Sequence, residues 1–439
     1  MTASAVSAST IRSGSSRFGN ASHLSCRECG QTYELGATHV CAECFGPLEV
    51  AYNLPRLTRG DIEAGPASIW RYASLLPVPP DVASAPNTEP GWTRLVRADQ
   101  LARAVGMRSL WVKDERSNPT HSFKDRVVAV ALAAALELGF KVLACPSTGN
   151  LANAVAAAAA RAGIRSVVLV PADLEPQKIL GTAVYGGTLV AVEGSYDDVN
   201  KLASELADDR EDWAFVNVNV RPYYAEGSKT IGYEIAEQLG WRLPEQVVVP
   251  VASGAQLVKV DKAFREFTAL GLVPETRCKV FGAQAEGCSP VAAAFSAGQD
   301  VVQPVRPATL AKSLAIGNPA DGPYVLDVVR RTGGAVAAVT DAEMVDAIRL
   351  LAATEGIFAE TAGGVTLAVL RKLLACGQLD PDADTVIINS GDGLKTLDAV
   401  APTIAPVQPI RPTLEAFAAH EARAVTTTSS SAQQAGDLS

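Results

Sequence analysis

The sequence predicts an α/β protein built on mainly parallel sheets, with a small cysteine-containing module near its N-terminus. Short β-branched runs alternate with helix-like segments from about residue 111 to residue 401. Strand, helix and strand at this spacing indicate right-handed crossovers and parallel pairing. Hydrophobic residues make up 48% of the chain and charged residues 19%, which supports a large buried interior. Two C-x-x-C pairs mark the separate module.

The length of 439 residues exceeds one average core and favours two or three domains. Both ends are rich in Ser, Ala and Thr and carry little apolar pattern, so they are expected to be disordered. The predicted segments are a tail at 1–21, a module at 22–52, a Pro-rich connector at 53–95, the α/β region at 96–402 and a tail at 403–439.

Charge and hydropathy exclude two classes of partner. The net charge is -9 and no basic patch runs along the chain, so we expect no nucleic acid partner. The long uncharged run at 142–160 contains Pro146, Gly149 and many alanines, which favours strand, turn and buried helix over a membrane span. No basic segment followed by an apolar core opens the sequence, so we expect a cytoplasmic protein.

The module carries Cys26-x-x-Cys29 and, after eleven residues, Cys41-x-x-Cys44. Two such pairs at this separation place four thiolates in tetrahedral reach and predict a structural zinc ribbon. A pair of disulfides is the alternative, and it fits a cytosolic enzyme poorly. The other cysteines lie in apolar runs and are expected in the core: Cys145, Cys278, Cys288 and Cys376.

Lys124 lies in "NPTHSFKDR", between the strand-like "SLWVKDE" and the helical "VVAVALAAALEL". A strand and a short loop therefore deliver this lysine to the start of a helix. It is either an ordinary exposed residue of the helix start or a buried nucleophile. Most lysines are exposed, so the sequence context alone favours the first alternative.

A first small-residue turn follows the strand of "CPSTGNLANA". Ser147, Thr148, Gly149 and Asn150 would place hydroxyl groups and free backbone N–H groups at a helix start, which suits a carboxylate. Simple N-capping of the helix is the alternative.

A second turn follows the strand of "VVVPVASGAQL". Ala252, Ser253, Gly254 and Ala255, with Gln256 behind them, carry little bulk, so their backbone could approach a phosphate closely. The glycine content is low for such a cradle.

A third turn ends the strand of "VIINSGDGLKT". Ser390 stands at that strand end, where its hydroxyl could meet a ring nitrogen. The alternative is an ordinary turn from strand to helix. Since ligands of open parallel sheets bind at the carboxyl ends of the strands, the three turns and Lys124 are expected to share one cleft. An aldehyde-reactive lysine, a phosphate turn and a hydroxyl for a ring nitrogen together indicate pyridoxal 5'-phosphate.

The chain resembles the threonine synthase family, whose members are pyridoxal-phosphate enzymes of fold type II. The motifs "SFKDR", "STGN", "IGNPADGPY", "FGAQAEGCSP" and "GIFAETAGGVTLAVL" carry the resemblance, which runs from the cysteine module to about residue 400. It implies two open, mainly parallel-sheet domains within 96–402, the smaller at roughly 135–240, plus the zinc-ribbon-like module.

The resemblance also implies roles for single residues. Lys124 would carry the cofactor, Asn150 would touch its ring hydroxyl, and Ser390 would meet its ring nitrogen. The turn from Ala252 to Gln256 would hold its phosphate. In many relatives that turn is richer in glycine and asparagine, and threonine replaces serine at the ring nitrogen.

The implied reaction converts O-phospho-L-homoserine and water to L-threonine and phosphate, by elimination of the γ-phosphate and addition of water at the β-carbon. Ser147 and Thr148 would hold the substrate carboxylate. Many relatives place an arginine directly before the "EG" of the next helix to bind the substrate phosphate. This chain reads "NVNVRPYYAEGSKT", so Arg221 is the candidate, with Asn217, Asn219 and Lys229 as possible further donors.

Two alternatives remain. One is a threonine or serine dehydratase, or a β-replacement synthase, of the same fold. The other is a catalytically idle binding protein on this scaffold, with the ribbon as an interaction module. A homo-oligomer is expected in each case.

Overall fold

The computed structural model describes residues 17–82, 89–147, 149–172, 176–194 and 196–421. Two compact units divide the chain, Met1–Thr396 and Leu397–Ser439. The first unit holds all three sheets. In the second, the described residues form a short helix, Leu397–Val400, a single helical turn at Ala401–Thr403 and a helix at 414–421.

The N-terminal module is a small antiparallel sheet in the order β2-β1-β3. Its strands are β1 Ala21–Cys26, β2 Thr32–Tyr33 and β3 Leu48–Tyr52. Just before β1, Phe18 is buried and stacks on the ring of Tyr223. The predicted boundary of the module at residue 22 stays a prediction.

A six-stranded sheet in the order β12-β11-β10-β13-β5-β4 forms the larger part of the first unit. All neighbours pair in parallel except β4, which runs antiparallel to β5. Every residue of β10 and β13 is buried, as expected for parallel strands covered on both faces. The strands are β4 Arg94–Arg97, β5 Leu110–Asp114, β10 Gln246–Pro250, β11 Lys279–Ala285, β12 Val336–Val339 and β13 Thr385–Asn389.

A second, four-stranded sheet in the order β8-β7-β6-β9 is parallel throughout. Its strands are β6 Val142–Pro146, β7 Arg165–Pro171, β8 Thr188–Val192 and β9 Trp213–Phe215.

Helices connect the strands and end where the sequence provides a stop. α3 and α4 end at Gly139 and Gly163, whose φ angles of 87° and 67° lie in the left-handed region that glycine adopts most readily. The helices of the first unit are α1 Arg59–Glu63, α2 Asp99–Val105, α3 Lys124–Leu138, α4 Asn150–Ala162, α5 Pro176–Ala183, α6 Tyr196–Asp209, α7 Arg221–Glu226, α8 Lys229–Gln238, α9 Ala255–Ala269, α10 Pro290–Ser296, α11 Gly322–Thr332, α12 Asp341–Glu355 and α13 Thr361–Ala375.

The predicted fold class, α/β with two mainly parallel sheets, is confirmed. The β-branched runs chosen from the sequence all became strands, because each is short, apolar and bounded by turn residues. Among the described helices, none combines the length and the apolar character needed to cross a membrane. The predicted boundaries between catalytic subdomains stay a prediction.

Candidate active site

Loops from the carboxyl ends of the parallel strands meet around the start of α3. A bridge joins Ser122, in the loop after β5, to Gly391, in the turn after β13. The backbone N–H of Phe123 donates to the carbonyl of Ser390 at 3.0 Å. The predicted neighbourhood of Lys124 and Ser390 therefore exists, because β5 and β13 are adjacent parallel strands.

Lys124 is the first residue of α3, and its side chain is partly buried. Its Nζ donates to the hydroxyl of Tyr224 at 2.9 Å and lies 4.6 Å from the centroid of the Phe123 ring. Within the described part of the chain, no carboxylate pairs with this amine. A half-buried amine without a counter-ion is available for chemistry, so the structure favours the nucleophile over the ordinary surface lysine.

Other buried lysines are held in ion pairs. Lys113 contacts Glu234 at 2.6 Å, and both side chains are fully buried. Lys229 and Lys259 lie 2.8 and 2.5 Å from oxygens of Glu226. Burial lowers the pKa of Lys113 and of Lys259, while the adjacent carboxylates oppose that shift. These amines stabilise the interior, and none resembles Lys124 in its surroundings.

The turn after β10, from Ala252 to Gln256, has the features of an anion cradle. Gly254 has φ of 100°, and an added Cβ would lie 2.7 Å from Cγ2 of Val325, so glycine is required there. α9 begins at Ala255 and directs its unpaired N–H groups at this turn. The Nε2 of Gln256 is buried and has no partner among the described residues. An unpaired donor beside a helix N-terminus suits a phosphate.

Asn150 and Ser390 are linked by a carboxylate that the sequence analysis did not single out. Glu360 accepts from Nδ2 of Asn150 at 2.7 Å and from the Ser390 hydroxyl at 2.6 Å. Glu360 is 2% exposed and lies directly before α13. The Nζ of Lys395 donates to Oδ1 of Asn150 at 2.9 Å. Glu360 therefore sets the orientation of two side chains predicted to touch the cofactor ring.

Glu360 and Tyr224 were both missed, although the sequence contained signals for them. Glu360 is an isolated acidic residue in the apolar run "GIFAETAGGVTLAVL". An ionised side chain in such a run is costly unless it has partners, which makes it a candidate for a site. Tyr224 gave a weaker signal, because tyrosines in a helix are common core residues.

The turn after β6 is described only in part. Ser147 is buried, and its Oγ accepts from the Gly149 N–H at 3.4 Å, a bond within the turn itself. Thr148 lies outside the described residues. Asn150 is the first residue of α4, and the N-cap is Gly149, so no side chain caps this helix as the N-capping alternative would require. The substrate-carboxylate role of Ser147 and Thr148 stays a prediction.

Arg221 is the first residue of α7, the helix that also carries Tyr224. Its NH2 lies 2.6 Å from Oδ2 of Asp321, and its side chain is 23% exposed. Two of the three suggested further donors, Asn219 and Lys229, are used elsewhere. Asn219 bonds through its side chain to the backbone of β9, and Lys229 is fully buried in its ion pairs. The expectation that they assist Arg221 is wrong, because both serve the interior.

The four cysteines of the module converge. Their Sγ atoms all lie within 4.8 Å of one another, with 3.4 Å between Cys26 and Cys44 and 3.6 Å between Cys29 and Cys41. Four thiolates about 2.3 Å from a zinc ion would be about 3.8 Å apart. The Tyr33 hydroxyl donates to the thiolate of Cys41 and lowers the pKa of that residue to about 6. The arrangement fits a closed tetrahedral metal centre.

These groups fit pyridoxal 5'-phosphate. Lys124 offers a free amine, the turn after β10 offers unpaired donors, and Ser390 and Asn150 offer polar groups for a ring. Nothing in the described cleft contradicts the cofactor that the sequence predicted.

Comparison with known proteins agrees with this geometry. The sequence profile of a family described as "Pyridoxal-phosphate dependent enzyme" matches residues 87–391. A profile described as "NinF protein" matches residues 25–49, within the cysteine module.

Individual relatives cover most of the chain. The threonine synthase of Methanocaldococcus jannaschii is 37% identical over 380 residues, which is 85% of this chain and 93% of that protein. The threonine synthase of Methanosarcina acetivorans is 37% identical over 378 residues, 85% of this chain and 92% of that protein. Among solved structures, a fungal L-serine ammonia-lyase from Rhizomucor miehei superimposes with a TM-score of 0.60 at 22% identity, covering 71% of this chain and 96% of that one. The structural likeness concerns the fold alone.

Proposed function

Since the chain belongs to the pyridoxal-phosphate dependent enzyme family, we propose that it acts as a threonine synthase on O-phospho-L-homoserine. The threonine synthases that it resembles at 37% identity support this activity. The observation that best supports the proposal is that α7 carries both a partner of Lys124 and a candidate phosphate-binding arginine. This helix brings Tyr224, which bonds to Lys124, and Arg221, a guanidinium that could bind a second phosphate, to the same side of the cleft.

The cofactor, when bound, supplies an aldehyde for covalent attachment and a ring that withdraws electrons from the substrate Cα. Lys124 would hold it through its side-chain amine, and the same amine, when free, would move protons at the substrate Cα and at the carbons beyond. The Tyr224 hydroxyl, 2.9 Å from Nζ, keeps the lysine amine directed into the cleft. The donors of the turn Ala252–Gln256 hold the cofactor phosphate, and Asn150 and Ser390 hold its ring.

The substrate phosphate leaves as a dianion, and charge builds up on it as the Cγ–O bond breaks. A guanidinium stabilises that charge, because its paired donors match phosphate oxygens. Arg221 fills this role in the proposal, with Ser147 and Thr148 on the substrate carboxylate. Water then adds at Cβ, and protonation completes L-threonine.

A dehydratase is the second candidate, since the fungal L-serine ammonia-lyase shares the fold. A dehydratase substrate carries no phosphate, so it has no use for a cation at Arg221. The binding-protein alternative is disfavoured by the retained, unpaired amine of Lys124.

We infer that the four cysteines bind one structural zinc ion. The thiolates fill the tetrahedron and leave no open position for chemistry. None of the eight cysteines, which all lie in the described residues, forms a disulfide, and this agrees with a reducing compartment. Metal analysis of the purified protein should find about one equivalent of zinc per chain. A metal-free protein of full stability and activity would contradict the assignment.

Turnover of purified holoenzyme tests the activity. O-phospho-L-homoserine should give L-threonine and inorganic phosphate in equal amounts, while O-phosphoserine and L-threonine should be poor substrates. Deamination of L-threonine, with no reaction of O-phosphohomoserine, would establish the dehydratase instead.

A further inference from the structure

The first cysteine knuckle of the module lies against the body of the enzyme through Arg27. This residue stands between Cys26 and Cys29. Its NH1 is 3.5 Å from Oδ1 of Asp321, and its guanidinium carbon lies 3.4 Å from the centroid of the Tyr324 ring. The side chain is only 19% exposed. A guanidinium stacked on a tyrosine ring keeps its charge while its orientation is fixed.

Asp321 connects this arginine to the cleft. Its Oδ2 contacts Arg221 at 2.6 Å, and its backbone N–H donates to the carbonyl of Ser253 at 2.8 Å. A Cβ added to Gly254 would lie 3.0 Å from the Cβ of Asp321, so Asp321 packs tightly against this turn. Asp321 therefore fixes Arg221 relative to the turn that holds the cofactor phosphate.

Asp321 is shared between two guanidinium groups. Its Oδ1 faces Arg27 and its Oδ2 faces Arg221, so the attraction of its carboxylate is divided between them. Glu28 also belongs to this cluster, because it accepts from the Tyr324 hydroxyl, so the effect of Arg27 on Arg221 is one of orientation through Asp321. Arg221 bonds to no other side chain among the described residues, so its remaining donors can meet a phosphate.

The module is attached to α7 at two further points, so Arg27 is held in place. The Tyr223 hydroxyl donates to the carbonyl of Gly36 at 3.0 Å. The Tyr52 hydroxyl donates to Oε2 of Glu226 at 2.7 Å. Both bonds join the module to the helix that carries Arg221 and Tyr224.

We propose that Arg27 is a positioning residue for the substrate-phosphate site, supplied to the catalytic cleft by the cysteine module. Through Asp321 it orients Arg221, so that the module contributes to the selection of a phosphorylated substrate. This inference rests on the proposed function, because it assigns the ligand of Arg221 as the phosphate monoester of that substrate.

The test compares Arg27→Met with the matched control Arg17→Met in the zinc-loaded holoenzyme. Arg17 belongs to the same end of the chain, but its side chain is 65% exposed. For Arg27→Met we expect KM for O-phosphohomoserine to rise about tenfold or more, and the inhibition constant of inorganic phosphate to rise in parallel. The kcat value should change much less, and Arg27→Lys should restore part of the loss through its charge.

Zinc content, melting temperature and binding of inorganic phosphate by calorimetry complete the test. Unchanged KM and unchanged phosphate binding in Arg27→Met would overturn the proposal, as would effects explained entirely by lost zinc or lost stability. If Arg27→Met does not fold, Tyr324→Leu decides, with Tyr324→Phe as its control. Leucine removes the ring beneath Arg27, whereas both variants lose the hydroxyl that donates to Glu28. Phosphate binding reports on the site even if the wild-type enzyme ignores O-phosphohomoserine, so failure of the proposed function remains distinguishable.

Discussion

Two residues of the first turn of α3 have opposite surroundings. Arg126 is fully buried, and its guanidinium bonds to Glu115, Glu234, Thr93 and Thr230. Lys124 is partly exposed and donates to one hydroxyl, that of Tyr224. The start of α3 therefore contributes one residue, Arg126, to a buried ion network and another, Lys124, to the open cleft.

The difference shows which charges stabilise the fold and which are available for chemistry. Burial alone would raise the pKa of Glu234, but Arg126 and Lys113 hold it at about 2. That network is ionised and complete, and a ligand would find no free donor in it. In the cleft, Lys124 and Gln256 have donors that no described carboxylate or carbonyl satisfies. Unpaired polar groups are costly in a buried network and useful in a binding site.

The largest effect is expected on the cleft side. Lys124→Ala should abolish catalysis, by at least about 10⁴-fold, because the amine that holds the cofactor and moves protons is lost. Its melting temperature should stay close to that of the wild type, since no ion pair is broken. Borohydride reduction of the wild type and peptide mapping should place the pyridoxyl group on Lys124.

Lys141→Ala is the matched control, because Lys141 is exposed and outside the cleft. It should keep wild-type activity. A pyridoxyl label on Lys113, Lys229 or Lys259 would contradict this prediction, because it would assign the cofactor to a lysine that is held in a buried ion pair.

Arg126→Met should act in the opposite way. It leaves the buried carboxylate of Glu115 without its ion pair and Glu234 with Lys113 alone, which is expected to cost about 3–5 kcal/mol in the free energy of unfolding. Urea denaturation measures this loss, and activity per folded molecule should change little. Arg103→Met, at an exposed position, should change the free energy of unfolding by less than about 0.5 kcal/mol. Equal stability of the two variants would refute the structural role of the network.

Arg221 combines features of both regions, since it is paired with Asp321 yet partly exposed. Arg221→Ala should lower kcat/KM for O-phosphohomoserine by at least about 100-fold, or about 2.7 kcal/mol. The dissociation constant of the cofactor should barely change. Wild-type kinetics in this variant would mean that the cation for the substrate phosphate lies elsewhere.

Glu360→Gln tests a carboxylate that is buried like the network but directed at the cleft. The amide keeps the shape but can accept with one atom only, so one of the bonds from Asn150 and Ser390 is lost. We expect the dissociation constant of pyridoxal 5'-phosphate to rise about tenfold, or about 1.4 kcal/mol. Absorbance titration of the apoenzyme measures it, with exposed Glu275→Gln as the control. Unchanged affinity would show that Glu360 does not orient the two side chains.

The sequence predicted the strands and the cleft better than it predicted the partners within the cleft. Parallel strands have short, apolar, β-branched signatures, and their carboxyl ends must lie at one edge, so Lys124 and Ser390 could be expected together. Glu360 and Asn150 are 210 positions apart, and only the tertiary fold brings them together. For the same reason, the position of Arg27 between two cysteines did not indicate its contact with Asp321, which is 294 positions away in the chain.

Replacement of Asp125, which lies between Lys124 and Arg126, should give the smallest effect. This effect is on the free energy of unfolding and depends on pH. The carboxyl group is 2% exposed and accepts from the N–H and the hydroxyl of Thr120 at 2.8 and 2.9 Å. Burial raises its pKa to about 6 despite those bonds, whereas an unfolded chain has a value of about 3.9. The folded state therefore binds this proton more tightly, and stability falls as pH rises from about 4 to about 6.

Asp125→Asn removes this titration while keeping an acceptor for the Thr120 N–H. Relative to the wild type, the variant should gain about 1 kcal/mol in the free energy of unfolding between pH 4.5 and pH 5.5. Urea denaturation at both pH values measures the gain, and the other titrating groups cancel in the difference. If the difference in the free energy of unfolding between variant and wild type does not change with pH, Asp125 ionises as it would in solvent. If the difference grows with pH as expected, Asp125 belongs to the buried side of α3, although it is adjacent to Lys124 in the chain.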